Sequence, residues 1–305
     1  MFETTKLVNN HLITAFHTHL LLEKSLSANS IDAYMSDLDK LMRFLSEENK
    51  KPEEVTLNDL QQLIAQLYDL DIHARSIARI ISGIKSFYRF LVLEDYIQND
   101  PTELLESPKI GFKLPEVLTV DEINNIISTI DLSLPEGRRN RAILEALYSC
   151  GLRVSELITL RFSDMYLDEG FIRVLGKGSK QRLVPISSVA VKEIRLYLID
   201  RHLIKVKKGH EDILFLSKRG TSLSRIMIFY IIKQQTEAAG IKKTVSPHTF
   251  RHSFATHLLE GGANLRAIQQ MLGHEKITTT EIYTHLDRDF LRSEILEYHP
   301  RNKKN

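Results

Sequence analysis

Cysteine is almost missing from this 305-residue chain: Cys150 is the only one. No intrachain disulfide can form and nothing points to an oxidising compartment, so a cytoplasmic protein is expected. No apolar run approaches the roughly 20 residues a membrane span needs, so no membrane association is expected. The opening MFETTKLVNN has no basic region followed by an apolar stretch, and no secretory signal is expected. Internal repeats and low-complexity tracts are lacking. Net charge is scarce too, at +2, a total that by itself gives no reason to expect nucleic acid.

Two catalytic signatures are incomplete. GKGSKQR (176–182) looks superficially like a phosphate-binding loop. Its Gly-Lys is followed by Gly178, Phe171 stands where the first glycine belongs, and both flanks read as strands, so nucleotide hydrolysis is not expected. The run His274-Glu275-Lys276-Ile277-Thr278 lacks the second histidine of a zinc-protease helix, and a single thiol excludes a thiolate-rich zinc site. No metal and no other cofactor is expected.

What is present is ordinary globular composition, 43% hydrophobic and 26% charged, over a length suggesting roughly two domains. The charge is unevenly placed. Residues 1–108 carry 10 Lys+Arg against 17 Asp+Glu, a net −7; residues 109–305 carry 31 against 22, a net +9. A basic C-terminal part can attract a polyanion. Pro108 and Pro115 bracket a glycine and two lysines, and Thr119-Val-Asp-Glu122 then forms a capping box before Ile123, Ile126 and Ile127. The chain is therefore expected to divide into residues 1–107, a linker at 108–116 and a second domain at 117–305. The fold class is mainly α with a small antiparallel β-sheet. FIRVL (171–175) and RLVPI (182–186) form a hairpin, with MYL (165–167) as a third strand.

In residues 74–96, helical periodicity places Ile77, Ile80, Ile84, Phe87 and Leu91 on one face and Arg75, Arg79, Lys85 and Arg89 on the opposite arc. Two readings stand side by side, a solvated face and a phosphate-contacting one. An earlier helix starts near Ser27, Asn29 and Ser30, each able to cap it. In SPHTFRHSFATHLLEGG (246–262), Ser246 caps, Pro247 suits the first turn and the glycines terminate. His248, Arg251 and His252 fall at i, i+3 and i+4 on one face, a grouping that suits an anion. Arg153 follows Gly151 at a helix start, with Glu156 three residues on to orient its guanidinium. Gly273 ends a helix before His274, and Thr278-Thr-Thr-Glu281 caps the next one, placing Tyr283 in its first turns. Packing and chemistry are equally open for a tyrosine there.

Taken together, these segments resemble the tyrosine site-specific recombinases, or phage-integrase family. Arg153 in GLRVSEL, Lys177 in GKGSKQRLVP, His248 and Arg251 in HTFRHSFATHLL, His274 in LGH and Tyr283 in TTEIYTH match the family's six active-site positions in order. The length and the ending YHPR look most like the bacterial Xer recombinases. The resemblance implies a C-shaped two-domain DNA clamp, with a helical core-binding domain and a catalytic domain. It implies cleavage and rejoining of DNA through a 3′-phosphotyrosyl intermediate without metal or ATP. Tyr283 would be the nucleophile, with Arg153 and Arg251 on the phosphate, His274 beside them, Lys177 protonating the 5′-oxygen, and His248 serving as acid/base partner or phosphate donor. Ser30, Tyr34, Arg75, Arg79, Lys85 and Arg89 are the candidate DNA contacts of the first domain. The implied partners are double-stranded DNA at a specific recombination site and a homo- or hetero-tetramer joined through the last helix (about 287–297). A second recombinase and a DNA translocase are further implied partners. The implied task is resolution of chromosome or plasmid dimers. A mobile-element integrase, or a type IB topoisomerase-like relaxing activity, is the alternative with the same chemistry.

Overall fold

A computed structural model describes residues 2–109, 111, 116–176, 181–273 and 285–302, with side chains from 11 onward and, in the last segment, from 288. The chain divides into two compact units, Met1–Lys113 and Leu114–Asn305.

The first unit is helical: α1 (Phe2–Leu22), α2 (Ala28–Glu47), α3 (Leu57–Asp69) and α4 (Ala74–Leu93). The predicted stripe of α4 forms its centre, since Ile77, Ile80, Ile84, Phe87 and Leu91 are each at most 1% exposed. Burying one such side chain contributes about 1.5–3 kcal/mol. Ile81, Tyr88 and Phe90 are buried as well, so the apolar arc is wider than one stripe because α1, α2 and α3 all pack on α4. The Tyr88 hydroxyl donates to the Pro52 carbonyl at 3.1 Å, which satisfies the polar end of a buried ring.

The second unit is built around α6 (Gly137–Cys150), where every residue from Ala142 to Cys150 is buried. Nine consecutive buried residues go round the helix more than twice, so it is covered on all sides. Its neighbours include α5 (Val120–Ser128), α8 (Ser188–Arg201) and α10 (Pro247–Gly261). Burial pushes the Cys150 thiol up to about 12, so this thiol is inert. The expected caps are in place: Thr119 and Glu122 form a capping box on α5, and Ser246 caps α10 with Pro247 in its first turn. Strands β1 (Met165–Tyr166), β2 (Phe171–Leu175) and β3 (Gln181–Pro185) form an antiparallel sheet in that order, with Phe171 opposite Pro185 and Leu175 opposite Gln181. The remaining α-helices are α7 (Val154–Ile158), which precedes β1, and α9 (Arg225–Ala238), α11 (Leu265–Leu272) and α12 (His285–Tyr298), which follow the sheet. Among the described residues no helix is long and apolar enough to cross a membrane.

The helix expected to serve a neighbouring subunit is here seated on its own domain. Leu291 and Ile295 of α12 enter the core, and Glu294 accepts the Asn264 backbone N–H at 2.6 Å. Arg301 and Asn302, beyond α12, are fastened as well. Arg301 binds Glu145 at 2.8 Å and lies over the Tyr148 ring, and Asn302 accepts from the Ser188 N–H at 3.2 Å. His299 is fully buried between them. Its Nδ1 accepts the Arg301 N–H at 3.1 Å, so Nε2 carries the proton and donates to the Tyr148 carbonyl at 3.3 Å.

Burial, more than the charge of Arg301, pushes the His299 imidazole down to about 3 from an ordinary 6.5. The unfolded chain therefore binds a proton that the folded chain refuses between those values. Stability is full above pH 6.5 and declines as pH falls, by up to about 1.4 kcal/mol per pH unit from this residue. His299→Gln keeps an amide donor but does not titrate, so its urea midpoint should fall less than that of the parent chain between pH 7 and pH 5. An equal fall in both would exclude His299 as the source.

Candidate active site

The turn after α6 needs a left-handed residue, and Gly151 supplies it with φ 56°. A side chain there would also strike the Phe254 ring, whose nearest atom lies 2.4 Å from the Cβ position. Two residues later Arg153 sits at the N-terminal cap of α7 in extended conformation. Its backbone N–H and its guanidinium Nη1 both donate to the Glu156 carboxylate, at 2.8 and 2.9 Å. The orienting role expected of Glu156 is thus visible, and its carboxylate is buried at 4% exposure.

Two further guanidiniums reach the same carboxylate. Arg182, from β3, grips it with both terminal nitrogens at 2.7 and 3.0 Å, and Arg251, from α10, stands 3.8 Å from Oε2. The three arginines also take three consecutive carbonyls at the end of α11. Arg182 Nε donates to Met271 at 2.8 Å, Arg251 Nη2 to Leu272 at 2.5 Å and Arg153 Nη2 to Gly273 at 3.3 Å. A helix C-terminus leaves such carbonyls unpaired and carries partial negative charge, so cations are favoured there. Arg251 adds a bond to the Gly151 carbonyl at 2.7 Å. Gly273 (φ 66°) closes α11, and its missing Cβ leaves room for the Arg182 side chain 3.2 Å away.

Burial alone would raise the Glu156 carboxyl. Its hydrogen bonds and charge contact with Arg182, then those with Arg153, outweigh burial and hold it below the usual carboxylate value. Burial, then the charge of Arg153, pushes Arg251 down to about 10, which leaves it cationic at neutral pH. Each terminal nitrogen of Arg251 gives one N–H to a carbonyl and retains a second for another acceptor. The arrangement can hold an anion such as a phosphate between two fixed guanidiniums.

The structure brings Arg153 and Arg251 together. Lys177, His274 and Tyr283, with the capping box Thr278–Glu281, lie outside the described residues; their neighbours Gly176, Gln181 and Gly273 are described. The shared face expected for His248, Arg251 and His252 divides: both histidines are exposed on α10, whereas Arg251 turns inward to its carbonyl partners. Arg182 is the residue that sequence reasoning missed. Its signal was the period of two in QRLVP, which puts Arg182 on the inward side with Val184.

In the first unit, Arg75 and Arg89 are exposed on α4 and Lys85 is half-buried. Arg79 is committed elsewhere, to Asp37 of α2 at 2.5 Å, and Asp37 is buried at 2% exposure. Ser30 meets Ser27 hydroxyl to hydroxyl at 3.0 Å, and Tyr34 sets its ring edge-on to Phe16.

Comparison with known proteins bears on both units. The family profile described as "Phage integrase family" matches residues 116–289, more than half of the chain. The profile described as "Phage integrase, N-terminal SAM-like domain" matches residues 13–95. The chain is 42% identical over 292 residues to tyrosine recombinase XerD of Chlorobaculum tepidum, covering 95% of this chain and 96% of that one. It is 44% identical over 291 residues to tyrosine recombinase XerD of Staphylococcus aureus, covering 95% and 99%. Among solved structures, a XerH site-specific recombinase bound to palindromic difH substrate, in a post-cleavage complex, aligns with a TM-score of 0.70 at 24% identity. That alignment covers 90% of this chain and 81% of that one, a likeness of fold.

Because Arg79 offsets a buried carboxylate, Arg79→Ala is expected to destabilise the chain by about 1–3 kcal/mol in urea unfolding. Adding Asp37→Asn should recover part of that loss. An unchanged midpoint in Arg79→Ala would return Arg79 to a purely solvated role.

Proposed function

The chain belongs to the phage integrase family, the tyrosine recombinases, and from that premise we propose that it cuts and rejoins DNA at a specific recombination site through a covalent bond to Tyr283. The observation that carries this reading is the pairing of Arg153 and Arg251 on one buried carboxylate, with the Gly273 carbonyl, one residue before His274, accepting from Arg153.

The Tyr283 oxygen attacks the scissile phosphorus, forms a 3′-phosphotyrosyl bond and expels the 5′-oxygen. Arg153 and Arg251 neutralise the non-bridging oxygens as charge builds, which is where fixed donors act most strongly. Lys177, which lies between β2 and β3 in sequence, protonates the departing 5′-oxygen. His274 adds a hydrogen bond to the phosphate. His248 either takes the tyrosine proton or donates to the phosphate. A 5′-hydroxyl then attacks the phosphotyrosyl bond and releases Tyr283, so bond energy is conserved and ATP has no step to drive. Two arginines and a lysine provide the positive charge that a metal ion supplies elsewhere.

The exposed Arg75 and Arg89, with Lys85, Ser30 and Tyr34, are the proposed DNA contacts of the first unit. The similarity to XerD proteins supports resolution of chromosome or plasmid dimers in the cytoplasm as the task. Four protomers on two sites, each lending α12 to a neighbour, is the assembly suggested by the family. It requires Leu291 and Ile295 to leave one core and enter another. A second recombinase and a DNA translocase are the proposed protein partners.

The test uses sheared genomic DNA from the source organism, with EDTA and without ATP. Sequencing of trapped adducts should return one recurrent site, and the tryptic peptide Ile277–Arg288 should carry the nucleotide. Tyr283→Phe should abolish the adduct. An adduct that survives that change, or one that needs a divalent ion, would overturn the assignment. Two marked copies of the recovered site should exchange strands; relaxation without exchange would favour a topoisomerase. Affinity for the site should fall steeply with salt. Arg75→Ala and Arg89→Ala should each weaken it and reduce the salt slope by about 1; an unchanged slope would remove that residue from the interface.

A further inference from the structure

We infer that Arg182 is a positioning residue for strand cleavage: it neutralises Glu156, so that the charge of Arg153 and Arg251 remains available to the scissile phosphate. The inference rests on the roles proposed above for Arg153, Arg251 and Tyr283.

Three guanidiniums surround one carboxylate, but they do not share it evenly. Arg182 takes both oxygens, in the parallel two-point geometry that gives the strongest pairing of these groups. Arg153 has one side-chain bond to it, and Arg251 stands at 3.8 Å, beyond hydrogen-bond length. Arg182 already has protein partners for Nε, Nη1 and Nη2, namely the Met271 carbonyl and the two Glu156 oxygens, and no other guanidinium grips Glu156 at both oxygens. The pair Arg182–Glu156 is therefore neutral as a unit, and the two positive charges of Arg153 and Arg251 stand beside it uncancelled. Without Arg182, the buried carboxylate has only Arg153 and Arg251 to satisfy it. Each would be drawn onto Glu156, and the net charge facing the phosphate would fall from two to one.

Arg182 also ties together the roots of the segments that carry the other proposed catalytic groups. It lies on β3, five residues after Lys177 in sequence. Through Met271 and its close fit against Gly273 it holds the end of α11, immediately before His274. Through Glu156 it holds α7, and with it Arg153. One side chain thus couples the β2–β3 hairpin, the α7 start and the α11 end. A residue of merely structural importance would be replaced by any change that keeps the fold. A charge-balancing residue has a specific signature: its loss is repaired by removing the charge that it balances.

The experiment measures single-turnover cleavage by the full chain of a nicked duplex carrying the site recovered from trapped adducts, at saturating protein. Wild type, Arg182→Lys, Arg182→Gln, Glu156→Gln and the double variant Arg182→Gln/Glu156→Gln are compared, with Tyr283→Phe as the blank. Arg182→Gln should cleave on the order of 10²-fold more slowly with unchanged DNA affinity, the size of effect that small misplacements of reacting groups produce. The double variant, again with two net positive charges, should recover about tenfold of the lost rate, a coupling expected of groups in direct contact. Arg182→Lys keeps the charge without the two-point grip and should fall between. Should Arg182→Gln not fold, the double variant, which buries no unbalanced carboxylate, carries the test: a rate within about tenfold of wild type supports the inference. A double variant no faster than Arg182→Gln, or an Arg182→Gln as fast as wild type, overturns it. A wild-type chain that forms no adduct overturns the reading of Tyr283, and this inference with it; wild-type cleavage matched by Arg182→Gln overturns this inference alone.

Discussion

A carboxylate taken out of water must be paired and hydrogen-bonded or it will neutralise or unfold its surroundings, and at the candidate active site that carboxylate is Glu156. Its partners come from α7, β3 and α10, elements far apart in sequence, so satisfying Glu156 requires the second unit to close around one point. The same three arginines complete the end of α11 by taking the Met271, Leu272 and Gly273 carbonyls. Two unfavourable features, a buried anion and an unfinished helix end, are thus solved by one set of cations. Arg153 and Arg251 emerge from this solution fixed in place, with N–H groups still unused. Fixed donors that need no rearrangement when charge develops are what phosphoryl-transfer catalysis draws on.

The first unit uses the same principle more modestly. Asp37 on α2 is buried, which pushes its carboxyl up, while Arg79 and then Lys40 pull against that shift. The basic arc of α4 therefore has two functions. Arg79 joins α4 to α2, while Arg75 and Arg89 remain exposed to meet a polyanion. The unit's negative total charge does not prevent this, because phosphates respond to the charge of the face they meet.

Features that depend on local order were legible in the sequence. The α4 stripe follows from a period of 3.6, the β2–β3 hairpin from alternation on either side of a glycine-rich turn, and the caps at Thr119 and Ser246 from side chains that bond within three residues. Arg153, Arg251 and their neighbour Glu156 were legible as well, because each sits in a recognisable local motif. The pairing of Arg182 with Glu156 spans 26 residues and that of Arg79 with Asp37 spans 42, and no local pattern encodes either. An arginine at a strand start reads as a surface residue unless its inward register is weighed. The division of the α10 face has the same origin: helical spacing brings His248, Arg251 and His252 near one another, but only the carbonyls of Gly151 and Leu272 turn Arg251 inward. The seating of α12 was hidden for another reason. A helix with Leu291 and Ile295 on one side fits its own core or a neighbour's equally well, and His299, Arg301 and Asn302 fasten it at home through contacts with α6 and α8.

Labour is divided among three arginines of identical chemistry. Arg153 and Arg251 serve the phosphate, and Arg182 serves Glu156. A crystal structure of the trapped phosphotyrosyl adduct measures this directly. Both Arg153 and Arg251 should lie within about 3 Å of non-bridging oxygens of the phosphate on Tyr283, with Arg182 still holding both oxygens of Glu156. An adduct in which Arg182 has left Glu156 for the phosphate, or in which only one of the other two arginines reaches it, would contradict this division.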